Sequence, residues 1–382
     1  MHVTRQAIEK RMTYEAAQTL KSTLEVAATQ VISAQPQTLP LLKQFTGVYL
    51  QDSTWIALPD ELRSVWKETG CRTEHKKAPI KLHLRFDVLT GAFVHFQLTD
   101  GIIADSTAEK EFEPLSAGSL RLADLSYFSL DAFGKLTQTG AFWITRLKVN
   151  CKLFDEQGEP FCLYKHLKAT NLDTIDQNCF VGAKKRLSAR LVALRCSEPE
   201  ANKRRRNIRR DAKRRWTTPS KQRLKLAGWD IYITNIGTTR LTAEQVATIT
   251  RIRWQVELMF KSFKSVGKVN TSRSTKPERP LCEVSAKLIA QLIRHWIMLA
   301  TGWKCMRHDL IKTAKLIGRH ARTLTMSFHK SKTAFYRTLR YIKQGGRYSD
   351  YGKHRAGKRT TYTKLTRIAL FSLPMVRAGT EG

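Results

Sequence analysis

The stretches TGVYLQDSTWIAL (residues 46–58), IKLHLRFDV (80–88) and AFVHFQLTD (92–100) alternate apolar and polar residues with a period of two. That period sends successive side chains to opposite faces of a β-strand. Only Leu89-Thr90-Gly91 separates the second run from the third, which predicts a hairpin. Upstream, residues 3–34 carry Ala, Leu and Val at helical spacing with no Gly or Pro before the Gln35-Pro36 break, and read as one helix. Downstream, a short polar helix is expected over residues 107–115, then a strand in SLRLADLSYF (119–128). AFWITRLKVN (141–150) and further short strands follow to about Cys196; after a basic stretch comes GWDIYITNI (228–236) as a strand, and from Thr242 to about Tyr348 the pattern is helical. There is no internal repeat.

Three strands, a helix, a fourth strand and then helices is an order compatible with an α/β fold built on a ribonuclease H-like core. The second β-rich segment, residues 137–228, reads as an insertion within that core. The expected organisation is a helical N-terminal segment (1–40), the first part of the core (41–136), the β-rich insertion with the basic stretch (137–228), the second part of the core (229–300) and a basic, mainly helical C-terminal region (301–382). The N-terminal helix is either the end of a small DNA-binding module or a packing helix.

At 382 residues with 42% hydrophobic side chains, the chain has material for large buried cores and for two or three domains. Disorder, collagen and a disulfide-stapled mini-protein are excluded. The most apolar helical stretch, residues 286–303, is broken by Lys287, Gln291, Arg294 and His295, so no run of about 20 apolar residues spans a bilayer. The N-terminus, MHVTRQAIEKRMTYEA, lacks the apolar core of an export signal, so a cytoplasmic, nucleoid-associated protein is expected. Seven cysteines with no Cys-x-x-Cys pair read as reduced and structural. Cys71 and His75 share helical spacing but have no second pair nearby to complete a zinc site.

The net charge of +35 exceeds what solubility requires and is unevenly placed. Residues 1–176 carry 20 basic and 21 acidic side chains, residues 177–382 carry 47 and 11. Such asymmetry points to a polyanion, since each Lys or Arg that neutralises a phosphate releases counterions. Residues 203–225 (KRRRNIRRDAKRRWTTPSKQRLK) hold twelve cations and one acid, Asp211, with Lys203, Arg204, Arg205, Arg206, Arg209 and Arg210 as the leading candidates for phosphate contact. The plainer reading is a disordered basic loop, which would still bind nucleic acid. The tail after Lys304 spaces cations among Tyr341, Tyr348, Tyr351 and Tyr362. Neither stretch has the sustained apolar face that a membrane-surface helix needs.

In VYLQD, Asp52 ends a strand face begun by Val48 and Leu50; in LRLAD, Asp124 ends one begun by Leu120 and Leu122. A lone Asp there is usually a strand-end cap, whereas two on adjacent strands offer paired oxygen ligands for Mg²⁺ or Mn²⁺. A third carboxylate lies in LTAEQVATITRIRWQVELMFKSFKSVGK (241–268). At about 100° per residue, Thr250, Arg253, Glu257, Lys261, Lys264 and Lys268 fall in one stripe, opposite Ile252, Val256, Met259, Phe263 and Val266. A solvated helix with (i, i+4) pairs around Glu257 is the ordinary explanation. One acid among four cations is instead what a metal beside phosphates requires.

These residues resemble the DDE transposases of the insertion sequence 4 family. That family places Tyr, Arg, Glu and Lys on one helix with gaps of two, three and six residues; Arg253, Glu257 and Lys264 fit, and Thr250 stands at the Tyr position. LQDST around Asp52, LADLSYF around Asp124, and ITNI followed by ITRIRWQVELMFKSFKS extend the likeness, which runs from about Val3 to about Ala300. Asp100, Asp105 and Asp131 lie near enough to compete with Asp124. The resemblance implies that Asp52, Asp124 and Glu257 are catalytic and hold two Mg²⁺ ions roughly 3.5 to 4 Å apart, Mn²⁺ substituting. It further implies cleavage of insertion-sequence ends and transfer of their 3′-OH to target DNA, with Arg253, Lys261, Lys264 and Lys268 on DNA. Double-stranded DNA is the expected partner, bound by a homodimer; no membrane and no small-molecule substrate are expected. Some members cut the second strand through a hairpin, for which Trp143, Trp216 and Trp229 are available to stack on a displaced base. Members usually carry a longer N-terminal end-binding region, so a shortened, inactive DNA-binding remnant is the alternative. A tyrosine recombinase would need His-x-x-Arg beside a Tyr nucleophile, and His2 to Arg5 is the sole match.

Overall fold

The computed structural model describes residues 4–29, 39–65, 78–108, 114–302, 309–349 and 363–366. The chain divides into two compact units, one from Met1–Leu39, Gly47–Phe112 and Arg253–Thr363, the other from Pro40–Thr46, Glu113–Ile252 and Lys364–Gly382.

The first unit opens with α1 (Arg5–Lys10) and α2 (Tyr14–Thr29), where one helix was expected. The Thr13 hydroxyl accepts the N–H of Ala16 at 3.3 Å. An N-cap Thr competes with helix continuation, which is why the helix restarts without Gly or Pro; residues 30–34 lie outside the described part. Strands β1 (Val48–Leu58), β2 (Ala78–Asp87) and β3 (Phe93–Asp100) form an antiparallel sheet in the order β3-β2-β1. The expected hairpin joins β2 to β3. Asp87 shapes its turn by accepting from the N–H of Leu89 at 3.0 Å and the hydroxyl of Thr90 at 2.6 Å. Gly91 is needed there: its φ is +74°, and a Cβ would lie 2.7 Å from Leu299.

The alternation in β2 does not mark a wet face, because the strand is buried along its whole length. Lys81 pairs with Asp105 at 2.6 Å, Arg85 donates to Gln51 Oε1 at 3.1 Å, and His83 lies 3.1 Å from Thr99 Oγ1. Buried polar groups persist where such partners satisfy them. The edge strand β3 is covered by α2, whose Glu25 accepts the Leu98 N–H at 3.0 Å. A short α3 (Asp105–Ala108) follows; the rest of the polar helix expected over residues 107–115 falls mainly on residues 109–113, outside the described part.

The second unit runs β4 (Leu120–Ala123), α4 (Leu130–Gln138), β5 (Phe142–Arg146), β6 (Leu153–Phe154), β7 (Pro160–Phe161), α5 (Leu163–Ala169), β8 (Thr174–Val181), β9 (Leu187–Arg195), α6 (Glu198–Arg214), α7 (Lys221–Leu226), β10 (Trp229–Thr234) and α8 (Ala243–Thr250). Its strands lie in the order β4-β5-β10-β9-β8-β6-β7, with β4 and β5 parallel and each neighbouring pair from β5 through β7 antiparallel. Asn235 of the ITNI run ties β10 to β5, accepting from the Trp143 N–H at 2.9 Å and donating to the Ala141 carbonyl at 2.9 Å. Arg190, 3% exposed, forks onto Asp176 with two 2.6 Å bonds and donates to the carbonyls of Ile236 and Leu241. The basic stretch forms α6 and α7, not a loop.

The helix expected from Thr242 onward ends first at Thr250, passes through a 3-10 turn at Arg251–Arg253 and resumes as α9 (Trp254–Ser265) in the first unit. Then come α10 (Glu278–Ala300), α11 (Leu310–Arg319), α12 (Ala321–Lys330) and α13 (Lys332–Ser349). Among the described residues no helix is long and apolar enough to cross a membrane. α9 packs on β1 and α11, and α10 packs on α2 and α11.

His295 of α10 is fully buried, 4.7 Å from Phe93 and 5.9 Å from Phe86 between ring centroids, and its Nε2 donates to the Gly91 carbonyl at 2.6 Å. Burial pushes its pKa down to about 4. The unfolded chain therefore binds a proton near pH 6.5 that the folded chain refuses, so this stability is complete above that pH and drains away as pH falls toward 4. Urea titrations should show a loss of about 3 kcal/mol across that window. A His295→Leu chain should be less stable at pH 8 and lack this component of the pH dependence; an unchanged pH profile would show that His295 is not held neutral.

Candidate active site

In β1 the register places Asp52 opposite Leu84 and Thr54 opposite Leu82, so both side chains emerge on the face that carries Leu50 and Ile56. α9 packs against this strand. Arg253, at its start, forks between two carboxylates: Nη2 lies 2.6 Å from Glu257 Oε1 and Nη1 lies 3.4 Å from Asp52 Oδ2. The other Asp52 oxygen accepts the Ser53 N–H at 2.8 Å. Asp52 is 14% exposed and Glu257 31%, so the carboxylates are half-buried and reachable. Two turns further on, Lys264 donates to Thr54 Oγ1 at 2.7 Å, and burial lowers its pKa from the usual lysine range. Thr54 was not legible as a partner in the sequence. On the opposite face of β1, the Ser53 hydroxyl donates to Asp105 at 2.7 Å.

The four-cation stripe is thus divided. Arg253 and Lys264 turn to β1, whereas Lys261 is exposed and Lys268 lies past the helix end with φ +53°. Gly267 before it is required, since a Cβ there would stand 2.5 Å from the Gln291 side chain. Thr250 belongs to α8 and donates its hydroxyl to the Val246 carbonyl at 2.8 Å; the 3-10 turn interrupts the 100° progression that placed it on the stripe.

Asp124, in the second unit, follows β4 and caps the 3-10 turn Leu125–Tyr127, accepting from the Ser126 N–H at 3.4 Å and its hydroxyl at 3.3 Å. Of its competitors, Asp105 is held by Lys81 and Ser53, Asp131 is 63% exposed and paired with Lys185, and Asp100 is exposed at the end of β3.

Within α6, Arg204 bonds Asp230 at 2.9 Å and Glu200 at 3.3 Å, and Arg205 bonds Glu198 at 2.7 Å and the Leu224 carbonyl at 3.2 Å. These two hold the helix to its own unit. Lys203, Arg206, Arg209 and Arg210 are exposed, as are Lys213, Arg214 and Arg215. Trp143 is fully buried, stacked at 4.4 Å on Phe133, and Trp229 is 9% exposed with the Arg195 guanidinium 4.6 Å over its ring. Trp216 is 97% exposed. Cys71 and His75 lie outside the described residues.

Among the described residues no three His, Cys, Asp or Glu side chains stand close enough together to hold a metal ion by themselves. In kind, the donors fit a hard divalent cation: Asp52 and Glu257 present carboxylate oxygens to one positive centre, the Arg253 fork.

The chain is similar to the transposase for insertion sequence element IS231F of Bacillus thuringiensis subsp. israelensis, 28% identical over 305 residues, spanning 75% of this chain and 64% of that protein. It is 26% identical to the transposase for IS1151 of Clostridium perfringens, over 98% of this chain and 84% of the relative. A putative transposase, InsL, for IS186A of Escherichia coli (strain K12) is 25% identical over 67% of this chain and 69% of its own. These relatives are in accord with the insertion sequence 4 resemblance. The sequence model of the Transposase DDE domain matches residues 43–293, well over half of the chain and including Asp52, Asp124, Arg253, Glu257 and the strands and helices that carry them; the protein belongs to the DDE transposase family.

Proposed function

We propose that this chain is a cut-and-paste DNA transposase. In this reading it binds insertion-sequence ends, hydrolyses a phosphodiester bond at each end and joins the freed 3′-OH to target DNA, acting as a homodimer on two ends. The observation that carries the reading is the Arg253 fork joining Asp52 and Glu257, with Lys264 on the same strand two residues away at Thr54. A solvated helix would send those side chains to water; here they turn onto a strand.

Asp52, Asp124 and Glu257 would supply the carboxylates for two Mg²⁺ ions, with Mn²⁺ able to substitute, on a ribonuclease H-like core interrupted by residues 137–228. When bound, such ions make a water or a 3′-hydroxyl nucleophilic and stabilise the departing oxygen. The chain's own side chains do the rest. Arg253 is the resident countercharge between two acids, and release from them leaves a planar fork shaped for a phosphate. Lys264 sits where burial strengthens each of its electrostatic contacts, which suits it to hold a phosphate oxygen of the cleaved end. Thr54 positions Lys264, and Ser53 holds Asp52 through its N–H while Asp105 anchors the Ser53 hydroxyl behind the strand. Lys203, Arg206, Arg209 and Arg210 would grip the flanking duplex.

Nicking of a supercoiled plasmid carrying the DNA that flanks this gene tests the proposal. Cuts at fixed ends should appear with Mg²⁺ or Mn²⁺, vanish with EDTA, and fall by roughly three orders of magnitude in Glu257→Gln while DNA affinity stays within about twofold. Tight binding without metal-dependent cutting would make the chain a DNA-binding protein and overturn the catalytic assignment. An Asp124→Asn chain that still cuts normally would transfer the second carboxylate to another residue.

The exposed and the paired arginines of α6 should behave differently. Arg209→Ala and Arg210→Ala should each lower the slope of log affinity against log salt by about one, with little change in melting temperature. Arg204→Ala should instead lower the melting temperature, because it leaves half-buried Asp230 without that partner. Salt slopes in Arg209→Ala and Arg210→Ala that match the wild type would remove α6 from the DNA interface.

A further inference from the structure

α11, α12 and α13 lie beyond residue 293, where the match to the transposase domain ends, and with α10 they leave apolar side chains in water. In α12, Leu324 and Phe328 repeat at helical spacing on one face. Leu324 is buried, but Phe328 is 67% exposed and meets Phe335 of α13 at 5.5 Å between ring centroids. Together with Ile293 and Ile297 of α10 and Leu339 of α13, these side chains line a groove of about 760 Å³ within the first unit. Ile293 is itself 46% exposed. Covering apolar area gains about 25 cal/mol per Å², so a recess lined in this way marks a surface that another chain covers.

The charge around the recess says what kind of chain. Residues 310–349 hold ten Lys and Arg and no Asp or Glu. Lys332 and Lys343, three residues before Phe335 and four after Leu339, extend the α13 stripe at either end. Arg322 stands four residues after Gly318, another lining residue, and all three cations are exposed. Arg294 is set in the apolar wall itself. Its guanidinium donates to the neutral side chain of Gln291, has no ion-pair partner among the described residues, and is drawn below the usual arginine range by burial. A half-buried guanidinium gains most from a carboxylate, which an occupant of the groove can bring. Duplex DNA suits the cations but presents phosphates to a recess, not an apolar ridge. A second copy docked through the same face would set its own ten cations against these, and like charges oppose that pairing. An apolar stripe flanked by acids fits both features, and an amphipathic helix presents one at i, i+3, i+4 and i+7. We propose that the groove bounded by α10 to α13 docks an acidic amphipathic helix of a partner protein, its apolar stripe against Phe328 and Ile293 and a carboxylate on Arg294. The proposal goes beyond the transposase reading and does not depend on it.

Fluorescence anisotropy of the full chain with labelled peptides of about 18 Leu and Glu residues tests it. One peptide places Leu at i, i+3, i+4 and i+7; a second has the same composition with Leu scattered around the helix; a third keeps the stripe and carries Lys for Glu. The striped acidic peptide should bind about tenfold more tightly than either control. Phe328→Ala should weaken that binding about tenfold with little change in melting temperature, since the ring stands mostly in water. Arg294→Gln should weaken it about fivefold and lower its salt dependence. Striped and scattered acidic peptides bound alike would show attraction by charge alone and overturn the proposal, as would wild-type affinity in either variant. Failure of the striped peptide to bind would also overturn it; if Phe328→Ala then turned a sedimenting dimer into a monomer, the groove would belong to a second copy. Phe328-dependent binding of phosphatidylglycerol vesicles, with no preference among the peptides, would give the groove to lipid and overturn the proposal as well.

Discussion

The pairing of Asp52 with Leu84 decides which side of β1 carries the carboxylate. A slip of one residue would exchange Asp52 and Thr54 with Gln51 and Ser53, because strand side chains alternate strictly between faces. Both faces are committed. On one, Asp52 meets Arg253 and Thr54 meets Lys264; on the other, Gln51 accepts from Arg85 and Ser53 donates to Asp105. With β2 buried along its length, a slipped register would strand Arg85 away from Gln51, and unpaired buried charge is among the most destabilising defects a fold can carry. The polar network behind the strand therefore sets the position of the acid in front of it.

The second constraint is at the start of α9. The 3-10 turn Arg251–Arg253 lets the chain enter α9 with Arg253 beside Glu257 and within reach of Asp52. At the other end, Gly267 allows close approach to Gln291 of α10, so the helix stops where Lys264 still reaches the strand. A chain of net charge +35 thus sorts its cations by partner: some, such as Arg190, Arg204 and Arg253, meet carboxylates within their own unit, and others, such as Arg209 and Arg210, face water. The exposed set gives the long-range attraction for a polyanion, the paired set local order.

The strands and the hairpin were legible because period-two alternation and Leu89-Thr90-Gly91 are local signals. α4 was not among the expected elements; its signals were Ser129, which caps the helix at the Ala132 N–H, and Phe133 with Leu136 at helical spacing. The break between α1 and α2 hung on Thr13, a cap that looks like any other helix-surface Thr in sequence. Of the site, Asp52, Arg253, Glu257 and Lys264 could be named from strand phase and helix stripe. Thr54 and the Ser53–Asp105 link could not, because they are set by which strand a helix covers. Composition also cannot tell Arg204 and Arg205 from Arg209 and Arg210: all look alike until Asp230 and the Leu224 carbonyl arrive from elsewhere in the chain.

The central claim is that Asp52, Asp124 and Glu257 together hold the divalent metal. Iron-directed cleavage of the polypeptide reports this most directly: Fe²⁺ bound in place of Mg²⁺, with ascorbate and peroxide, cuts the backbone beside its ligands. The account predicts cuts around Asp52, Asp124 and Glu257 that Mg²⁺ suppresses and that disappear in Glu257→Gln. Cuts confined to other segments, or unchanged in that variant, would contradict it.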